Sequence, residues 1–200
     1  MIRRNIKTFF SHHLKNCLTT CNSIYVADYT EQTKLDKIKR AVELFEVSPP
    51  SDIDYFTVNN PCNLEIDGIP FDNNSFTRPN GSPLSQCECV IYPHSSNDKS
   101  WILFLELKYS CKSENNENNL NKARRQLFKT QYYYKYYYKS KVCFDKKNTC
   151  YLLASLPMQR PPFANISLTQ TYLSEMKRKH NVIIRFQNSV EIIDDKKIKV

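Results

Sequence analysis

Apolar positions along this chain recur at helical spacing in some stretches and run continuously or alternate in others, and the changes between these patterns outline the elements. In residues 2–22, Ile6, Phe9, Phe10, Leu14, Cys17, Leu18 and Cys21 fall close to an i, i+3, i+4, i+7 pattern, which predicts an amphipathic helix. A short strand over residues 23–27 follows. Residues 30–47 read as a second helix, with Thr30 as N-cap, Leu35, Ile38, Ala41, Val42 and Phe45 on one face, and Pro49-Pro50 as its stop. Residues 51–82 are rich in Asn, Asp and Pro and offer weak strands at 55–58 and 64–66. Two strand-like runs, 86–92 and 100–109, are joined by the polar segment 93–99 and predict an antiparallel hairpin. A long helix is expected over residues 120–142, with Leu120, Ala123, Leu127, Thr130 and Tyr134 as its buried stripe. A strand at 149–156, a helix at 168–179 and short strands at 182–186 and 190–193 complete the pattern. This order predicts one α/β domain, a central mixed β-sheet flanked by helices, with an N-terminal helical part over about 1–50 and an α/β core over about 51–200.

Composition narrows the chemistry. The 200 residues carry 40% hydrophobic and 24% charged side chains, a globular balance, and a formal net charge of +9 that favours polyanionic partners. There are only two glycines, Gly68 and Gly81, too far apart to form a glycine-rich phosphate loop, a dinucleotide fingerprint or a G-x-S-x-G elbow. The four histidines lack the H-E-x-x-H spacing of a zinc helix. The eight cysteines come without an apolar leader-like run near the first residue, which leads us to expect free thiols in a reduced, cytoplasmic setting and no membrane span. His12, His13, Cys17 and Cys21 would share the first helix, with His13, Cys17 and Cys21 at i, i+4, i+8, but one helix rarely supplies four zinc ligands and no C-x-x-C knuckle exists, so the cysteines read as free thiols.

The strongest chemical signal lies in residues 101–109, where Glu106 and Lys108 interrupt an apolar strand. Side chains alternate along a strand, so the two charges share one face while Leu103, Leu105 and Leu107 take the other. The preceding strand carries its own isolated acid, Glu88, between Cys87 and Cys89, the two cysteines expected together on the opposite face. A hairpin turn centred near residues 96–97 would set Glu88 almost opposite Glu106, roughly 5 Å apart at Cβ. Such a pair beside a lysine is either a structural ion pair or a hard-oxygen site for Mg²⁺ or Mn²⁺, and the second carboxylate favours the metal.

Glu88, then Glu106-Leu107-Lys108 in an apolar strand, then a Lys/Arg-bearing helix, resembles the PD-(D/E)XK nuclease superfamily, which has the restriction-endonuclease-like fold. The resemblance covers about residues 84–156. It implies Glu88 and Glu106 as ligands of Mg²⁺ (or Mn²⁺), the Leu107 carbonyl as an auxiliary ligand, and Lys108 as the catalytic lysine beside the attacking water. It also implies a further acid from an upstream helix, for which Glu43 or Glu46 is available. Two positions depart from the motif: Cys87 stands where a proline is usual, and Glu88 replaces the commoner aspartate.

A nuclease of this kind would hydrolyse phosphodiester bonds of nucleic acid, with DNA expected. Lys122, Arg125 and Lys129 lie beside the buried stripe of the long helix, with Gln126 nearby, as a nucleic-acid-binding face. The helix glutamine of some relatives is not matched in its Q-x-x-x-Y pattern. Residues 131–139 interleave tyrosines with lysines and suit either base stacking or half-buried packing. Cutting both strands of a duplex favours a homodimer. The alternative is a non-catalytic module on the same fold that binds nucleic acid or protein.

Overall fold

A computed structural model describes residues 1–136, 143–164 and 168–200. Eleven strands and three helices are described. Helix α1 spans Ile2–Phe9 and a 3₁₀ turn spans Ser11–Asn16. Strands β1 (Leu18–Thr20), β2 (Ile24–Asp28), β3 (Val42–Phe45), β4 (Phe56–Asn59), β5 (Ile66–Pro70), β6 (Cys89–Pro93) and β7 (Ile102–Leu107) follow. Helix α2 (Asn116–Tyr136), β8 (Cys150–Ser155), α3 (Gln170–His180), β9 (Val182–Phe186), β10 (Ser189–Ile192) and β11 (Ile198–Lys199) complete the chain.

The strands form two mixed sheets. The larger has six strands in the order β1-β5-β6-β7-β8-β9, and the smaller has five in the order β11-β10-β4-β2-β3. Strands β5, β6 and β7 pair antiparallel, and α2 then carries the chain to β8, which lies parallel to β7. All six residues of β7 are buried because both faces of its sheet are covered. Ile102 and Phe104 join a core with α1, α2 and α3, while Leu103, Leu105 and Leu107 join a core with the five-stranded sheet. Among the described residues, helices therefore flank the main sheet on one side only, and a second sheet takes the place expected for helices on the other.

Helix α2 buries Leu120, Ala123, Leu127, Thr130 and Tyr134, the stripe its periodicity predicts. Its described extent ends at Tyr136, so Tyr138, Lys139 and the rest of the expected helix up to 142 lie outside the described residues. The two N-terminal expectations fail. The helix predicted over 2–22 stops at Phe9, and Leu18–Thr20 instead pairs with β5, so His13, Cys17 and Cys21 do not share a helix. The helix predicted over 30–47 is a turn-rich excursion ending in β3, and the supposed apolar face leaves Leu35 at 96% and Ile38 at 81% exposure. Val42 and Leu44 are instead spent on the sheet interior, where pairing with β2 supplies the backbone hydrogen bonds. The first fifty residues are thus largely sheet and turn, not a helical part.

Gly68 lies where the two sheets press together. A Cβ there would sit 2.7 Å from Leu44 Cδ1 and 3.4 Å from Ile24 Cδ1.

Candidate active site

The hairpin has the register expected from its turn: Cys89 pairs with Leu105 and Val90 with Phe104, which continues to Glu88 opposite Glu106. Glu88 sits at a bend just before β6, with each side of its backbone held. Its N–H donates to the Leu105 carbonyl (3.0 Å), and its carbonyl accepts from the Phe71 N–H (2.8 Å). Helix α2 fastens the residues before it. Thr130 Oγ1 accepts from the Cys87 N–H (2.8 Å), and Gln126 Nε2 donates to the Gln86 carbonyl (2.9 Å). The bend also corrects the expected placement of the cysteines: Cys87 enters the helix-side core and Cys89 the core between the sheets.

Glu106, at the end of β7, has no solvent exposure, and its Oε2 has no hydrogen-bond partner. Lys108 Nζ approaches its Oε1 to 2.5 Å, and the Lys108 N–H is anchored on the Ser155 carbonyl of β8 (2.9 Å). Burial pushes the Glu106 carboxyl up to about 7, the neighbouring Lys108 ammonium pulling the other way and Asp28 reinforcing the rise. Glu88 is held well above the ordinary carboxylate range by burial and by the charges of Glu106 and Asp28. Burial lowers the Lys108 pKa, but Glu106, Glu88 and Asp28 outweigh it, and the ammonium ends above its ordinary value. Both glutamate carboxyls are thus held above their ordinary range beside an ammonium held above its own.

Asp28 is the acid that the sequence reading missed. It ends β2 and bears electrostatically on Glu88, Glu106 and Lys108. Its Oδ1 accepts from Thr30 N–H (2.9 Å), and its own N–H donates to Tyr109 Oη (3.1 Å). The available signal was an apolar strand, Ile24-Tyr-Val-Ala, terminating in a carboxylate, the same signature that marks Glu106. The upstream acids named for this role do not take it as expected. Glu43 lies on β3, not on a helix, and pairs with Arg40 at 2.7 Å, and Glu46 follows the same strand.

Two open pockets meet at Asp28. The first, about 580 Å³, is lined by Glu88, Gln126, Phe71, Lys34, Lys39 and Arg40 among others. The second, about 460 Å³, is lined by Leu107, Lys108 and Tyr109 together with Asp52 and Asp54. The first mixes Lys34, Lys39 and Arg40 with Asp28, Asp72 and Glu88, whereas the second sets Lys108 among Asp28, Glu31, Asp52 and Asp54, so the cations that could meet a polyanion gather mainly on the Glu88 side. Gln126 lines that pocket, while Lys122, Arg125 and Lys129 stand exposed on the same helix outside it. Of the tyrosine run, Tyr134 is core, its hydroxyl 2.9 Å from His13 Nδ1, and Tyr132 and Tyr136 are exposed.

The arrangement suits a hard divalent cation in one respect. Glu106 presents one buried oxygen, Oε2, without a hydrogen-bond donor, on the strand beside a second buried carboxylate, and Lys108 supplies a single positive charge against the two acids, which leaves room for a divalent ion. Among the described residues, no three His, Cys, Asp or Glu groups stand close enough to hold an ion by themselves. Mg²⁺ commonly takes one or two carboxylates and keeps its remaining positions for water and substrate phosphate, so two carboxylates meet its requirement. No family model matches the chain, and no curated protein or solved structure matches it. No helix among the described residues is long and apolar enough to cross a membrane.

Proposed function

We propose that this protein is a metal-dependent nuclease of the PD-(D/E)XK kind, hydrolysing phosphodiester bonds of DNA. One observation carries the reading: Glu88, Glu106 and Lys108, charged side chains among apolar neighbours, gather at adjoining strand ends, with Glu88 lining a pocket that Lys34, Lys39 and Arg40 also line. The support extends to topology, since the hairpin that bears the three residues is followed by a helix and a parallel strand within a mixed sheet.

Glu88 and Glu106 would hold Mg²⁺ or Mn²⁺, with the Leu107 carbonyl as auxiliary ligand. When bound, the ion supplies Lewis-acid polarisation of the phosphate and an acidified water. The Lys108 ammonium, pinned at 2.5 Å from Glu106, places positive charge where charge develops on the phosphoryl oxygens. Gln126 holds the backbone before Glu88 and thereby sets the approach of that carboxylate. Lys122, Arg125 and Lys129 supply phosphate contacts along the exposed face of α2. A homodimer would bring two such sites to the two strands of a duplex.

The test is incubation with plasmid and single-stranded DNA in Mg²⁺ or Mn²⁺. Cleavage that is lost in Glu106→Ala and Lys108→Ala supports the assignment, and cleavage surviving both ends it. The lack of a third acidic or imidazole group close to the pair favours one other reading, a non-catalytic module that binds nucleic acid or protein. That reading requires salt-dependent binding without cleavage and no heat of Mn²⁺ binding in a calorimetric titration.

A further inference from the structure

Between β2 and β3 the chain makes an excursion whose neck is fastened and whose tip is bare. At the neck, Tyr29 N–H donates to the Ala41 carbonyl (3.2 Å). Buried Thr33 donates from Oγ1 to the Tyr29 carbonyl (2.9 Å) and accepts there from the Arg40 N–H (2.8 Å). The Arg40 guanidinium lies 3.3 Å from the centre of the Tyr29 ring and pairs with Glu43 and Asp52. Beyond this closure run Lys34, Leu35, Asp36, Lys37, Ile38 and Lys39.

Leu35 and Ile38 are among the most exposed large apolar side chains described, at 96% and 81%. Holding two aliphatic groups in water on a fastened frame forfeits the free energy their burial would return. Three lysines surround them, and Lys34 and Lys39 line the pocket that Glu88 and Gln126 also line. The ion pair of Lys34 with Glu31 (3.2 Å) is exposed and easily exchanged for a phosphate.

Resting on the nuclease reading, we propose that this excursion is a DNA-wedging element. Its lysines hold the phosphates flanking the pocket, while Leu35 and Ile38 enter the base stack of a duplex beside the phosphodiester to be cut. Apolar wedges flanked by cations are a general means of unstacking a base step and bending a duplex onto a protein. The substrate is therefore double-stranded and locally opened at the active site.

The probe is a short DNA duplex with one 2-aminopurine at its centre, mixed with the intact protein in EDTA so that no cleavage occurs. Wild type is expected to bind with strong salt dependence and to raise the 2-aminopurine fluorescence. The Leu35→Ala/Ile38→Ala variant should lose that rise and bind about tenfold more weakly, the order of one buried aliphatic side chain, with an unchanged salt slope. The Lys34→Ala/Lys39→Ala variant should keep the fluorescence rise while the slope of log K against log salt falls by about 1 to 2. Unstacking by Leu35→Ala/Ile38→Ala at the wild-type level overturns the wedge, as does wild-type binding and cleavage with no unstacking, which leaves the nuclease assignment standing. Sedimentation of the DNA-free protein that changes only in the apolar variant makes the tip a protein interface and also overturns it. Neither binding nor cleavage of any nucleic acid by wild type removes both readings.

Discussion

Replacing Glu106 by glutamine removes a charge from a position with no solvent exposure while keeping the shape of the side chain, and the stability of the metal-free variant relative to wild type should rise as the pH rises from acid to alkaline. The sign follows from linkage. A carboxyl whose folded pKa is raised, from 4.5 to about 7, binds more protons folded than unfolded across that interval. Its penalty is absent below about pH 4.5, grows as the pH rises and is complete above 7. At 1.36 kcal/mol per pKa unit the full penalty is about 3 kcal/mol, and the raised carboxyl of Glu88 adds in the same direction. Lys108 stays charged throughout this window and contributes no slope, although glutamine deprives it of a partner and shifts the difference by a constant.

Raw stability curves would obscure the effect, because buried His13 acts oppositely below pH 6.5. The quantity to measure is the stability difference between Glu106→Gln and wild type, by urea or thermal unfolding in EDTA at pH 5, 6.5 and 8. It should move in favour of the variant by about 2.5 kcal/mol between the extremes, part of the penalty being already present at pH 5, or roughly 5–10 °C in Tm for a domain of this size. Added Mn²⁺ should raise the wild-type Tm at pH 8 and leave the variant nearly unmoved. A difference that is flat with pH refutes the buried-carboxylate reasoning.

Asp28→Asn removes a charge that raises both glutamates, so the acid limb of the cleavage pH profile should move to lower pH; a limb that stays in place removes Asp28 from the site's electrostatics. Burial, opposed in part by the bond to the Ser75 carbonyl, lowers the His13 pKa to about 4, so its contribution is complete above pH 6.5 and is lost as the pH falls towards 4. That acid-side loss, at most about 3 kcal/mol, should vanish in His13→Gln when the pH dependence of urea unfolding is compared. Gly68→Ala forces a methyl against Leu44 Cδ1 and should cost about 1–3 kcal/mol in the same assay, a neutral result meaning that the two sheets separate more easily than their packing implies.

The candidate chemistry was legible because it breaks a local rule. Charges inside an apolar strand are expensive, so Glu106 and Lys108 stand out from residues 101–109 without any knowledge of the fold, and the hairpin turn alone places Glu88 across from Glu106. The buried stripe of α2 was equally local, since helical periodicity reads out which face is covered. What the sequence could not decide was anything set by a distant neighbour. Apolar spacing at Leu35, Ile38, Val42 and Phe45 satisfies a helix as well as a turn followed by a strand, and only pairing with β2 selects the strand. Asp28 was missed for the same reason, because its closeness to Glu88 and Glu106 exists only once the five-stranded sheet packs on the six-stranded one. By itself, then, the sequence determined the two acids and the lysine at the hairpin's strand ends, the hairpin register and the helix beside them, all governed by short-range periodicity. Tertiary structure alone decided that a second sheet covers the far face of the main one, that the charge of Asp28 bears on the pair, and that Lys34 and Lys39 of the excursion at 29–41 line the pocket beside Glu88, because those contacts join residues tens of positions apart.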